Sequence, residues 1–260
     1  VSLCITILNE AHSISQLITA IANQTRLPDE VVIVDGGSSD KTRSVVEQAL
    51  FDVGYTTAKN TELIFSGKIA RGKTVVLVRF LQVVGNRSVG RNYAIATAVH
   101  DWIAITDAGC LPHPSWLAEL LIAKTHTDNL VIAGYYDAIV RTDFEEAMVP
   151  YVLVMPDKVD PHNFLPATRS MMLHKSIWER AGGFDERLSD NEDYAFAKTI
   201  ARLTPISFTK AAIVSWIPRQ TICQFFNMLY RFARGDMQAG IVRPKVLLIF
   251  LRYLLIIPLI

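Results

Sequence analysis

The chain has 260 residues, half of them apolar and 20% charged, a core-forming composition that excludes wholesale disorder. Its formal net charge of +1 carries no basic excess, which excludes nucleic acid as the main partner. The three cysteines, Cys4, Cys110 and Cys223, include no CxxC pair; they argue against a disulfide framework or a structural zinc and fit a reducing, cytosol-facing compartment.

The chain opens inside an apolar run, Val1 to Leu8, with neither an initiator Met nor a signal peptide, so the reading is of a fragment or a trimmed chain. That run predicts a strand. Ile14, Leu17, Ile18 and Ile21 form one stripe and predict a helix over Ser13–Gln24. EVVIVD at Glu30–Asp35 is a β-branched strand, followed by the turn GGSSDKT and a helix over Thr42–Leu50. This strand–loop–helix rhythm implies right-handed βαβ units and a largely parallel sheet. Residues 51–84 hold two candidate strands, Leu63–Phe65 and Thr74–Val84, and read as an insertion. Asn92–Val99 predicts a helix, Trp102–Thr106 a strand ending at Asp107, Pro112–Lys124 a helix and Leu130–Tyr135 a strand. Asp137–Arg169, with Pro150, Pro156, Pro161 and Pro166, has the composition of an irregular substrate-shaping region. Short helices follow at Lys175–Ala181, closed by Gly182–Gly183, and at Asp193–Arg202; Ile222–Ala233 predicts an aromatic, basic helix.

The last fifteen residues, Val246–Ile260, read VLLIFLRYLLIIPLI and account for much of a mean hydropathy of +0.26. As a helix this stretch reaches roughly 22 Å, against about 30 Å of hydrocarbon. It either lies at a membrane interface or begins a membrane helix; a buried core helix is the plainer alternative.

Two aspartates, Asp35 and Asp107, end strands and open loops. Either can be only a helix cap. In parallel strands they converge on one crevice, where one carboxylate can meet a nucleoside and the other a phosphate-bridging cation. GxGxxG does not occur, so a dinucleotide site lacks its phosphate cradle. Asp190, Glu192 and Asp193 cluster at a helix start, which is either plain N-terminal charge or a place where the helix keeps a general base ionised. The six histidines show no metal-ligand spacing. Trp216 and Phe225–Phe226 serve equally well as core or as a stacking surface for sugar or lipid.

Six segments, SLCITILNE (2–10), VDGGSSDKT (34–42), GNRSVGRNYAI (85–95), ITDAGCLPHPSWL (105–117), GGFDERLSDNEDYAF (182–196) and RFARGD (231–236), stand in the order found in family 2 glycosyltransferases, which the chain resembles. The resemblance implies a GT-A fold: a Rossmann-like mixed α/β sheet flanked by helices over residues 1–240, with 241–260 as a membrane-associated apolar segment. It implies inverting transfer from a nucleotide-diphosphate sugar to a hydroxyl of a lipid-linked or cell-envelope glycan, at the cytoplasmic face of a membrane. Thr6 to Leu8, Glu10, Asp35 and Arg91 would face the donor nucleotide, and Asp193 would be the catalytic base. Glu192, Arg231 and Arg234 would lie on the acceptor or diphosphate side. Asp107 begins the family's DxD motif and would bind donor and a divalent cation, Mg²⁺ or Mn²⁺. The sequence departs from the family at that triplet, which reads Asp107–Ala108–Gly109 and lacks the second carboxylate. Arg231, Arg234 or Arg91 neutralising the diphosphate directly is the alternative to a metal. YRFARGD in place of QxxRW points to single additions and away from processive synthesis. A non-catalytic nucleotide-binding relative or scaffold is the alternative function; a nucleotidyltransferase would need a basic glycine-rich loop where Asn9–Glu10–Ala11 stands.

Overall fold

The computed structural model describes residues 1–61, 64–71, 74–243, 248 and 251–252. In chain order the elements are β1 (Ser2–Ile7), α1 (Ile14–Ala22), β2 (Glu30–Asp35), α2 (Thr42–Asp52), β3 (Tyr55–Thr61), β4 (Ile64–Arg71), β5 (Thr74–Gln82), α3 (Arg87–Thr97) and β6 (Trp102–Ile105). They continue with β7 (Cys110–Pro112), α4 (Trp116–Thr125), β8 (Val131–Ala138), α5 (Asp143–Val152), β9 (Met171–His174), α6 (Lys175–Ala181), α7 (Glu192–Ala201), β10 (Ser207–Trp216) and α8 (Ile222–Gln238). One mixed sheet runs β3-β4-β5-β2-β1-β6-β9-β8-β10-β7. β5, β2, β1 and β6 are parallel, as are β8 and β10, and β9 runs antiparallel between β6 and β8.

The central strands carry continuous apolar runs because both faces of the sheet are covered. Leu3, Ile5, Val31 and Ile33 face one side and pack with Ile14, Leu17 and Ile21 of α1, Val46 and Leu50 of α2, and Trp116 and Leu120 of α4. Cys4, Val32, Val34, Ile103 and Ile105 face the other, against Ala94 and Ile95 of α3, Ile177 of α6 and Phe196 and Ile200 of α7.

Several expectations are corrected. The stretch 51–84, read as an insertion, supplies strands of the sheet. β5 is hydrogen-bonded to β2 from Leu77 to Gln82, and β3 and β4 extend that edge as an antiparallel ladder. The third helix starts at Arg87, five residues ahead of Asn92, because the Asn86 side chain accepts from the Val89 amide and caps it. The region expected to be irregular contains α5, capped by Thr142 and opened by Asp143, Glu145 and Glu146, with Pro150 inside its last turn. Of the tail, only Leu248, Leu251 and Arg252 are described. Among the described residues no helix is long and apolar enough to cross a membrane.

Candidate active site

Ile7 and Asp35 pair across β1 and β2, and Asp107 follows the end of the parallel strand β6. The carboxyl ends of these strands therefore share one edge, where ligands of open α/β sheets collect. Leu8 is exposed and Thr6 half-buried beside it. The chain turns at Asn9 with φ 55°, and its side chain and amide grip Ser39 and Ser38. Glu10 accepts from the Ser13 hydroxyl at 2.5 Å, and its amide donates to Thr42. Asp35 departs from its expected contact with nucleoside. Its carboxylate is buried and accepts from the Ser38 amide, the Ser38 hydroxyl at 2.6 Å and Gln82 at 3.2 Å. It fixes the GGSS loop and offers no open face to a ligand.

α3 comes very close to β1 because Gly90 has no side chain; a Cβ there would sit 3.0 Å from Thr6 Cγ2. The next residue, Arg91, is 4% exposed and reaches both acidic loops, at 2.9 Å to Asp107 and 2.5 Å to Glu192. Arg91 and Glu192 are thus corrected from ligand-facing groups to a buried pair, since each guanidinium arm is occupied by a carboxylate and Glu192 is itself 3% exposed. Burial pushes the Glu192 carboxyl up, the Asp193 charge adds to this, and Arg91 opposes it. At Asp107 burial also acts upward, but Arg91, Arg169 and Arg87 outweigh it and hold the carboxyl below its ordinary range. Asp107 stays 29% exposed toward the crevice, and its other oxygen accepts from Thr168 at 3.3 Å.

The GGFDE turn is locked onto α3. Asn92 accepts from the Phe184 amide and Trp178 Nε1 and donates to the Phe184 carbonyl and to Glu186, while Ser88 donates to the Leu188 carbonyl. Gly183, at φ 76°, leaves the room that Asn92 fills, since a Cβ would lie 2.8 Å from its Oδ1. On the far side α8 lies against the acidic loop through Gly235, where a Cβ would come within 2.5 Å of the Asp190 carbonyl oxygen. Asn191, at φ 58°, donates to the Phe232 carbonyl and to Asp236. Arg231 pairs with Asp190 at 2.5 Å, with Arg87 at 3.9 Å on the same oxygen. Arg234 is exposed three residues further along α8 and joins no ion pair among the described residues. Asp193, in the first turn of α7, is half-buried. It caps its neighbour's amide at 2.8 Å and has no ion-pair partner within 4 Å among the described residues.

The sequence reading overlooked Arg169 and Arg219. Arg169 precedes β9 by two residues, and its guanidinium lies over the rings of Tyr136 and Trp216, at 5.5 and 5.8 Å from their centroids. Asp107 and Asp193 are among the charges acting on it. Arg219 follows β10 at the rim. Burial lowers its affinity for a proton, as do Arg87, Arg231 and Arg169, with Glu10 opposing. A single arginine in a proline-rich stretch carries no sequence signal, and the fold alone brings these residues together. Among the described residues no group of three or more His, Cys, Asp or Glu could hold a metal ion. The one carboxylate expected to do so, Asp107, is already bonded to Arg91 and Thr168. With Asp107 as the one carboxylate offered, a divalent cation would be held mostly by the donor's phosphates and water.

A mixed sheet with helices on both faces, two acidic loops at its strand ends and a helix start between them is the arrangement of GT-A glycosyltransferases. The chain belongs to glycosyl transferase family 2, whose description matches residues 2–180. It is similar to Glycosyltransferase AglE of Haloferax volcanii, 29% identical over 92% of this chain and 73% of that protein. Among solved structures, it resembles S. aureus TarS 1-349 in complex with UDP-GlcNAc at 17% identity over 93% of this chain and 67% of that one, TM-score 0.60. It also resembles a mannosyltransferase from Pyrobaculum calidifontis in complex with GDP-Man and Mn²⁺ at 20% identity over 92% and 62%, TM-score 0.61. The chain spans about two thirds of the length of these solved relatives.

Proposed function

We propose that the protein transfers a sugar from a nucleotide-diphosphate donor to a hydroxyl of a lipid-linked or cell-envelope glycan, with inversion and one addition per encounter. The observation that carries this reading is the division of labour among the acidic residues. Asp190 and Glu192 are bound to arginines, whereas Asp193 keeps a half-buried carboxylate outside any ion pair among the described residues. It sits in the first turn of α7. In the reaction, Asp193 takes the proton of the acceptor hydroxyl as that oxygen bonds to the anomeric carbon from the face opposite the leaving diphosphate. The bond between that carbon and the diphosphate oxygen breaks, and its electron pair leaves on the diphosphate. The loops at Thr6–Leu8 and Glu10 would hold the nucleoside, with Asp35 bracing the neighbouring turn.

Nucleotide sugars are the ligands of the solved relatives, which supports the donor class. Membrane association is supported by α8, where Ile222, Phe226 and Tyr230 are 57, 62 and 70% exposed at four-residue spacing. We place the work at the cytoplasmic face of that membrane. A divalent cation, if bound, would meet Asp107 as its one protein carboxylate and neutralise the diphosphate.

The test is transfer kinetics with nucleotide titration on Asp193→Asn and Glu192→Gln. Asp193→Asn should lose about 100-fold or more in transfer rate, the low end of general base catalysis, with nucleotide affinity changed only a few-fold. Glu192→Gln should be milder. Near wild-type transfer by Asp193→Asn would place the base elsewhere, and absence of any sugar-nucleotide turnover in the wild type would favour a non-catalytic binding role.

A further inference from the structure

We infer that Arg169 and Arg219 hold and neutralise the leaving diphosphate directly, in the place where the fold otherwise uses a protein-held divalent cation. The inference rests on the nucleotide-sugar reading above. Three independent features carry it. First, both Asp107 oxygens are engaged, by Arg91 and by Thr168, and the second carboxylate position is Gly109. Packing does not force that glycine: a Cβ there meets nothing within 4 Å. The ligand is missing where there is room for it.

Second, the Arg169 guanidinium lies over the rings of Tyr136 and Trp216, 5.5 and 5.8 Å from their centroids. Stacking fixes a guanidinium by its face and leaves its in-plane N–H donors available. Among the described residues neither Arg169 nor Arg219 has a carboxylate within 4 Å. Thr168, next to Arg169 in the chain, donates to Asp107, and Asp107 is among the charges acting on the Arg169 guanidinium. Third, Arg87 and Arg231 share the single carboxylate of Asp190, and these two and Arg169 act on Arg219 at the exposed rim, with Glu10 opposing. Like charges gathered this way repel one another, and an anion relieves the repulsion. A diphosphate has the matching charge, and guanidinium forks bind phosphate oxygens in pairs. As the bond to the anomeric carbon breaks, the electron pair stays on the diphosphate oxygen. The arginines stabilise that growing charge without forming or breaking any bond of their own.

The test titrates UDP, GDP and dTDP into the protein by calorimetry, in EDTA and in Mn²⁺, with melting temperatures recorded for each variant. The wild type should bind one of these diphosphates with the same affinity, within about twofold, in both buffers. Arg169→Gln and Arg219→Gln should each weaken it in EDTA by about 10- to 100-fold, the range for a lost charge-assisted hydrogen bond, and Arg169→Lys should lose less. Gly109→Asp should create a dependence on Mn²⁺ that the wild type lacks. Should Arg169→Gln lower the melting temperature, Arg219→Gln, at the exposed rim, decides the matter. Binding that requires Mn²⁺ in the wild type, or unchanged affinity in a folded Arg219→Gln, overturns the arginine assignment and leaves the nucleotide-sugar reading intact. No binding of any of the three in either buffer defeats that reading, and this one with it.

Discussion

Arg91 is the residue on which the two acidic loops converge, and it decides how Asp107 and Glu192 titrate. Burial acts upward on Asp107, and Arg91, Arg169 and Arg87 overcome it. Its folded value therefore lies below the unfolded one, so its contribution to stability is complete above about pH 4 and is lost as pH falls through the folded value. Asp107→Asn should accordingly show a shallower loss of stability below about pH 4 than the wild type in urea titrations run across that range. An equally steep acid limb in the variant would mean the arginines do not act on this carboxylate. The roles of these residues were unevenly legible in the sequence. Asp107 and Asp193 stand at a strand end and a helix start, positions that can be read from local pattern. Asp35 stands at a strand end too, yet its carboxylate turns inward to Ser38 and Gln82, a distinction of orientation that no local pattern encodes. Arg91 was seen as part of a motif, but its burial between two carboxylates depends on residues sixteen and 101 positions away.

At the scale of elements, helix contacts made through glycines set the geometry of the site. α8 can lie on the acidic loop only because Gly235 has no side chain. Gly235→Ala should push α8 off Asp190, loosening the Arg231 pair and the Asn191 bonds to Phe232 and Asp236. We expect a drop in melting temperature together with a loss of transfer rate. As a control, Gly109→Ala falls in open space and should leave the melting temperature unchanged. Equal melting temperatures for the two variants would show that the close approach of α8 does not matter. The buried elements were the legible ones. The α1 stripe and the EVVIVD strand follow from periodicity and β-branching, because a two-faced core demands continuous apolar strands. β9 is only four residues long. β10 begins with the partly exposed run SFTKA before its buried half, so neither strand shows a clean period. α5 was hidden by Pro150, which sits late enough in the helix to be tolerated.

Across the whole molecule the two ends of the sheet differ in kind. The end opposite the site is closed by a buried pair, Glu30 with Arg79, to which Ser2 and the Val99 amide donate as well. Glu30 is fully buried, so Arg79→Ala would strand an unpaired charge and should cost about 3–5 kcal/mol of stability in chemical denaturation. Nucleotide affinity of the folded variant should not change, and a large loss of affinity would mean that the two ends are coupled. The site end, by contrast, joins distant parts of the chain. The bonds from α3 to the GGFDE turn and the acidic loop span 92 to 101 residues. Contacts of such long sequence separation form late, because a large loop must close before they are rewarded. The half of the site built by β1, β2 and α3 must therefore wait, during synthesis as in refolding, for α7 to arrive. Until β9 pairs with it, β6 presents an open edge strand of the kind that invites aggregation. We expect slow refolding, because of where Arg91 finds its partners.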